Sequence, residues 1–153
     1  MKKKLFVFDL DFTLWNAGGI WCDCTNPPFT RKNGYVADSI GRKIVLYNDT
    51  LNILNELRFK RILIAVASRT EAPAYAIKIL ELFNICYLFD FEEIFPDSKI
   101  NHFINLKLKS RIEYHEMVFF DDEQRNIDDV SKLGVTCELL KDGITKEHVL
   151  KYL

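Results

Sequence analysis

No stretch of this sequence approaches the roughly 18 consecutive apolar residues of a membrane span, so no membrane partner is expected. The run Leu5-Phe6-Val7-Phe8 follows Lys2-Lys3-Lys4 but is broken by Asp9. It is too short for the apolar region of a secretory signal. Neither sign of charge is in excess: 21 Lys and Arg against 22 Asp and Glu leave a formal net charge of -1. Without a basic field, nucleic acid is not an expected partner either. Cysteine is sparse and unpatterned. Cys22 and Cys24 are separated by one residue, which is neither the redox nor the usual zinc spacing, and Cys86 and Cys137 stand apart. His102, His115 and His148 form no ligand pair with them. Four reduced thiols in a cytoplasmic, reducing compartment are expected. There is no repeat, no linker and no sign of a second domain, so residues 1–153 read as one domain, and a monomer is expected.

The composition is that of a globular protein, 48% hydrophobic and 28% charged. A chain of this length buries about 70% of its unfolded surface. Strand and helix patterns alternate along it. Apolar strands are expected at 5–8, 62–67, 92–95, 117–120 and 135–139. Helices are expected at 49–58, 74–83, 98–108, 125–133 and 145–153, with Asp49 or Thr50, Ser98 and Thr145 as caps and Gly134 as a stop. Strands separated by helices imply an α/β fold, with parallel pairing and right-handed crossovers. Residues 16–47 break the rhythm. They contain Gly18-Gly19, Pro27-Pro28 and Asn33-Gly34, together with Trp21, Phe29 and Tyr35. A connection this long is often a lid, and the segment reads as a flap over the site. Asn33-Gly34 suits a hairpin turn, and residues 44–47 suit a short strand.

Asp9 and Asp11 end the first strand. Burying an unpaired acid costs roughly several kcal/mol, so both belong at the carboxyl end of the strand, where open α/β sheets bind ligands. Two carboxylates this close repel each other, and a divalent cation is the simplest way to hold both ionised. Other strands bring Ser68 and Arg69, then Lys99, then Asp121 and Asp122 to the same edge. Magnesium takes carboxylate oxygens and keeps waters, while a lysine and a hydroxyl hold phosphate oxygens. Lys107 and Lys109 compete with Lys99, but Ser98 caps the helix that Lys99 enters. Asp128-Asp129 reads as an exposed helix face. A receiver-type signalling domain uses similar residues but carries its acidic pair after strand one, whereas here the pair follows strand four.

Asp9-Leu10-Asp11-Phe12-Thr13, Ser68, Lys99 and Asp121-Asp122 match, in order, the four motifs of the haloacid dehalogenase (HAD) superfamily, and the chain resembles a phosphatase of that group. It is most similar to the eukaryotic-type magnesium-dependent phosphatase family, through residues 8–15, 67–70, 80–83, 118–123, 125–127 and 133–137. The resemblance implies a Rossmann-like three-layer sandwich with a central parallel sheet, no large cap domain and a small flap after strand one. It implies a Mg2+-dependent phosphomonoesterase with Asp9 as nucleophile and Asp11 as general acid/base. Asp9, the backbone carbonyl of Asp11, and Asp122 would ligate the metal, with Asp121 in or near the shell around them. Thr13 would orient the first two acids, and Ser68, Arg69 and Lys99 would bind the substrate. Phosphotyrosine, aryl and sugar phosphates, or phosphoproteins, are the implied substrates. A HAD-type phosphotransferase and a non-catalytic phosphoprotein-binding module are the alternatives.

Overall fold

Residues with no polar alternation, as in Leu5–Phe8, need cover on both faces of a sheet, and that requirement organises the whole molecule. The structure, a computed structural model, describes residues 2–153. In chain order the strands are β1 (Leu5–Phe8), β2 (Trp15–Asn16), β3 (Thr30–Arg31), β4 (Val36–Ala37), β5 (Lys43–Leu46), β6 (Leu63–Ser68), β7 (Phe91–Ile94), β8 (Met117–Asp121) and β9 (Thr136–Leu139). The helices are α1 (Thr50–Phe59), α2 (Pro73–Leu82), α3 (Lys99–Ser110), α4 (Gln124–Ser131) and α5 (Lys146–Leu150). All five expected strands and all five expected helices form, with ends displaced by a few residues. The last helix is the shortest against expectation, because it closes at Leu150.

The main sheet has the order β7-β6-β1-β8-β9, and every neighbouring pair is parallel. Successive side chains of β1 leave on opposite faces. Phe6 and Phe8 join a core with Ile53, Leu57, Ile79 and Leu80 from α1 and α2. Leu5 and Val7 join a second core with Phe103 and Leu106 of α3 and Val130 of α4. Two helical layers around one sheet make the expected three-layer α/β sandwich. Strand order reverses between β1 and β8, and that switch point is where such sheets form a ligand crevice. Among the described residues, no helix is long and apolar enough to cross a membrane.

The segment expected to be a flap is more of a wall than a lid. β2, β5, β4 and β3 form a small antiparallel sheet. The Asn33-Gly34 hairpin is present between β3 and β4, closed by Lys32 N donating to Tyr35 O at 2.8 Å, with Gly34 at φ +88°. Trp15, Phe29, Val36 and Ile44 of this region are buried in the core beside α2. Their burial makes most of the segment part of the fold, and only the stretch around Trp21 and Asp23 reaches the crevice.

Two capping expectations differ in an informative way. Ser98 caps α3 as anticipated, its Oγ accepting from Ile100 N at 3.3 Å. Asp49 makes no side-chain bond to its own helix. Its Oδ2 accepts from Lys146 N at 2.9 Å instead, and so caps α5. Thr50 Oγ1 donates to Leu14 O at 2.8 Å, fastening α1 to the loop that follows β1.

Candidate active site

The loop after β1 turns sharply. Thr13 N and Leu14 N both donate to Leu10 O, at 3.1 and 2.9 Å, and Phe12 N donates to Trp15 O at 2.8 Å. Phe12 has φ 62°, a conformation that costs an ordinary residue about 1–2 kcal/mol. Strain of this kind persists where surrounding structure enforces it, often at a site. Here it turns the chain so that Asp9 and Asp11 both line one cavity of about 190 Å³. Ser68, Arg69, Lys99 and Asp122 line the same cavity.

Lys99 is the electrostatic centre. It is 1% exposed, and its Nζ donates to Asp9 Oδ1 at 2.9 Å and to Asp121 Oδ2 at 2.5 Å. Burial opposes its charge, but the two carboxylates outweigh that penalty and hold its pKa above the ordinary lysine range. Lys107 and Lys109 turn elsewhere, pairing with Glu113 and Glu93. Asp121 is fully buried and commits both oxygens to protein donors: Oδ1 accepts from Glu123 N at 2.8 Å, and Oδ2 from Lys99 and from Asn126 Nδ2 at 3.1 Å. Asp122 faces the cavity, and burial with help from the charge of Asp121 pushes its pKa up to about 6. Asp9 is raised well above the usual carboxylate range, by burial first and by Asp121 next, against the lowering effect of Lys99.

These shifts bear on the metal. Carboxylate oxygens of Asp9, Asp121 and Asp122 lie within 4.8 Å of one another. Three carboxylates against one ammonium leave two negative charges over, which is the charge of a divalent ion. Hard oxygen donors of this kind fit magnesium. Because Asp121 is spent on Lys99, Asn126 and Glu123, the carboxylates of Asp9 and Asp122 are the ones that could hold a divalent ion.

Asp11 is held from two sides. Its Oδ1 accepts from Trp15 Nε1 at 2.7 Å, and its Oδ2 from Cys22 N at 3.0 Å. Burial raises its pKa, and these two donors only partly offset the rise. A carboxyl with a raised pKa holds its proton to higher pH than a free one, which suits a proton carrier. Ser68 is buried at the end of β6, where its Oγ accepts from Thr70 N at 3.3 Å. His102 Nε2 lies 3.0 Å from both Ser68 O and Phe95 O, tying that strand end to the turn that carries Lys99. Its Nδ1 lies 3.1 Å from Ser98 O, so both ring nitrogens face backbone carbonyls. Burial lowers the pKa of the imidazole against the raising effect of those carbonyls.

Thr13 stands apart from the other expected site residues. It is fully buried, it does not line the cavity, and its hydroxyl has no hydrogen-bond partner among the described residues. Its contribution runs through the loop backbone, where its carbonyl accepts from Ile144 N at 2.9 Å. Sequence reasoning missed Trp15, Cys22 and Asn126 as contacts of the site, and Asp23, Thr70, Glu71, Glu123 and Arg125 as cavity walls. A backbone amide such as that of Cys22 leaves no trace in residue type. Asn126 was discoverable, because the first turn of α4 must overlook the end of β8.

The reversing five-stranded order, with an acid after β1 and an acid pair after β8 joined by a buried lysine, defines a HAD-type hydrolase fold. Solved structures agree on the fold. A HAD-superfamily hydrolase from Ehrlichia chaffeensis superposes with TM-score 0.72 at 14% identity, covering 99% of this chain and 96% of that one. A phosphatase-containing N-terminal part of a Bacteroides fragilis protein, crystallised with Mg, superposes with TM-score 0.64 at 19% identity, covering 92% of this chain and 37% of that one. The family model described as Acid Phosphatase matches residues 2–153, and the chain belongs to that family. It is 45% identical over 143 residues to human Magnesium-dependent phosphatase 1, covering 92% of this chain and 80% of the human one. It is 42% identical over 146 residues to a HAD-like hydrolase superfamily protein of Schizosaccharomyces pombe, covering 87% and 83% respectively.

Proposed function

We propose that this protein is a magnesium-dependent phosphomonoesterase that works through an aspartyl-phosphate on Asp9. The observation that carries this reading is the buried Lys99 bridging Asp9 and Asp121, which leaves a cavity-facing carboxylate pair short of positive charge. Asp9, Asp122 and the Asp11 carbonyl would hold magnesium, which supplies charge to keep Asp9 ionised and to orient a phosphate against it. The carboxylate of Asp9 attacks phosphorus as the ester P–O bond breaks. Asp11 gives its proton to the leaving oxygen. Water then bonds to phosphorus, its proton passes to Asp11, and the Asp9 carboxylate is released.

Lys99 has three N–H donors, two of which are engaged, and its third, with the Ser68 hydroxyl, serves the phosphoryl oxygens. Arg69 lines the cavity at the next position and offers a further charged contact. Trp21 is 50% exposed beside the cavity, an arrangement that favours leaving groups with a ring, such as aryl phosphates, phosphotyrosine or sugar phosphates. A cytoplasmic monomer acting on such substrates is the corresponding biological reading.

The test is a panel of 4-nitrophenyl phosphate, a phosphotyrosine peptide and a sugar phosphate, assayed in magnesium, in EDTA, and in EDTA followed by excess magnesium. Hydrolysis is expected in magnesium, none in chelator, and recovery on readdition. Full turnover in EDTA would sink the metal reading. Absence of turnover on every ester in magnesium would leave a binding module.

A further inference from the structure

Every polar contact of the buried Asn126 side chain runs to a residue that lines the cavity or pairs with Lys99. It is 1% exposed, on the first turn of α4. Its Nδ2 donates to Asp121 Oδ2 at 3.1 Å and to Glu123 Oε2 at 3.0 Å. Its Oδ1 accepts from Arg69 Nη1 at 3.0 Å. These partners fix the orientation of the amide. Two carboxylates require donors and a guanidinium requires an acceptor, so a flipped amide would set oxygen against oxygen and N–H against N–H.

The result is a chain of alternating polarity from Lys99 through Asp121 and Asn126 to Arg69. The choice of an amide at its third link matters. A carboxylate at that position would also accept from Arg69, but it would cancel the guanidinium's charge and add a fourth acid beside Asp121. An amide holds the guanidinium in place and leaves its positive charge for an anion in the cavity. Arg69 lines that cavity next to Ser68. Its long side chain otherwise has many rotamers, and ordering it at the moment of binding costs affinity.

We propose that Asn126 is a positioning residue that aims Arg69, with its charge intact, at the phosphoryl group of the substrate. This rests on the reading of Arg69 as a substrate contact. Asn126 itself touches neither substrate nor metal. It acts through Arg69 on binding, and through Asp121 on the setting of Lys99.

A double-mutant cycle separates these routes. KM and kcat for 4-nitrophenyl phosphate, and the competitive inhibition constant of inorganic phosphate, are measured for Arg69→Ala, Asn126→Ala and the double variant, with thermal melts to verify folding. Arg69→Ala should raise KM and the phosphate constant about tenfold, the scale of one charge-assisted hydrogen bond. Asn126→Ala should raise both several-fold when Arg69 is present and add little when it is absent, while its effect on kcat, through Asp121, persists in both backgrounds. Additive rises in KM would overturn the positioning role, since a merely structural residue acts regardless of what stands at position 69. An unchanged KM in Arg69→Ala would instead overturn the contact reading on which the proposal rests. If Asn126→Ala does not fold, Asn126→Ser, which adds no charge, takes its place in the same cycle. It should raise KM several-fold with Arg69 present and add little in its absence, and equal rises would again overturn the proposal.

Discussion

Asp9→Asn is expected to lower turnover of any phosphate ester by about 10⁴-fold or more, the scale on which removal of a nucleophile or its activating partner acts. The substitution is nearly isosteric, and the carboxamide oxygen can still accept from Lys99 Nζ, which lies 2.9 Å from Asp9 Oδ1. What is lost is the nucleophilic oxygen anion. Folding should not suffer. Asp9 is buried beside Asp121 and Asp122, and its pKa is raised because ionisation there is opposed by burial and by those neighbours. A neutral side chain relieves that repulsion, so without added metal the variant should melt at the same temperature as the parent or higher. Activity assays paired with thermal melts check both halves. Substantial residual turnover would remove Asp9 from the nucleophile's role, and a lower melting temperature would contradict the account of the charge cluster.

Lys99→Met should cost both stability and activity. The ammonium is the buried cation between Asp9 and Asp121, and removing one partner of a buried ion pair typically costs about 3–5 kcal/mol, because the remaining charge is left uncompensated. Methionine matches the bulk of the side chain, so packing against Phe119, whose ring centroid lies 5.1 Å from Nζ, is largely kept. The sign of the pH dependence follows from Asp9. Its folded-state pKa is already raised, and loss of Lys99 removes the contact that lowers it. An acid with a folded pKa above its unfolded value binds protons more tightly in the native state, so stability rises as pH falls through that interval. The variant should therefore regain stability relative to the parent between neutral pH and about pH 4, the unfolded range of a carboxylate. Denaturant melts at several pH values would measure this, and a deficit independent of pH would assign the loss to packing.

The main sheet was legible because its strands are apolar on both faces and its helices periodic; these are patterns of residue type alone. Ser68, Lys99 and the acid pair were legible for a related reason: parallel strands deliver their carboxyl ends to one edge, so polar residues after each strand must converge. The division of labour within Asp121-Asp122 was not. It depends on which side chain points at Lys99: Asp121 closes β8 with its carboxylate on that ammonium, while Asp122, one residue past the strand, lines the cavity. The length of residues 16–47 points to a lid, whereas nothing in residue type alone tells a lid aromatic from a packed one. Burial of Phe29, Val36 and Ile44 makes most of the segment a wall. Asp49 shows the same limit on a smaller scale, since a good capping residue serves whichever helix terminus is nearest in space, here α5.

The central claim is a covalent phosphoryl group on Asp9 that Asp11 helps water to remove. The most direct measurement is an acid quench of the protein during turnover of a radiolabelled phosphate ester, followed by peptide mapping. The account predicts label on the peptide containing Asp9, stable to acid and released by hydroxylamine as an acyl phosphate. It predicts more label in Asp11→Asn, where release is slowed, and none in Asp9→Asn. Label on another residue, or rapid turnover with no label in either the parent or Asp11→Asn, would contradict it.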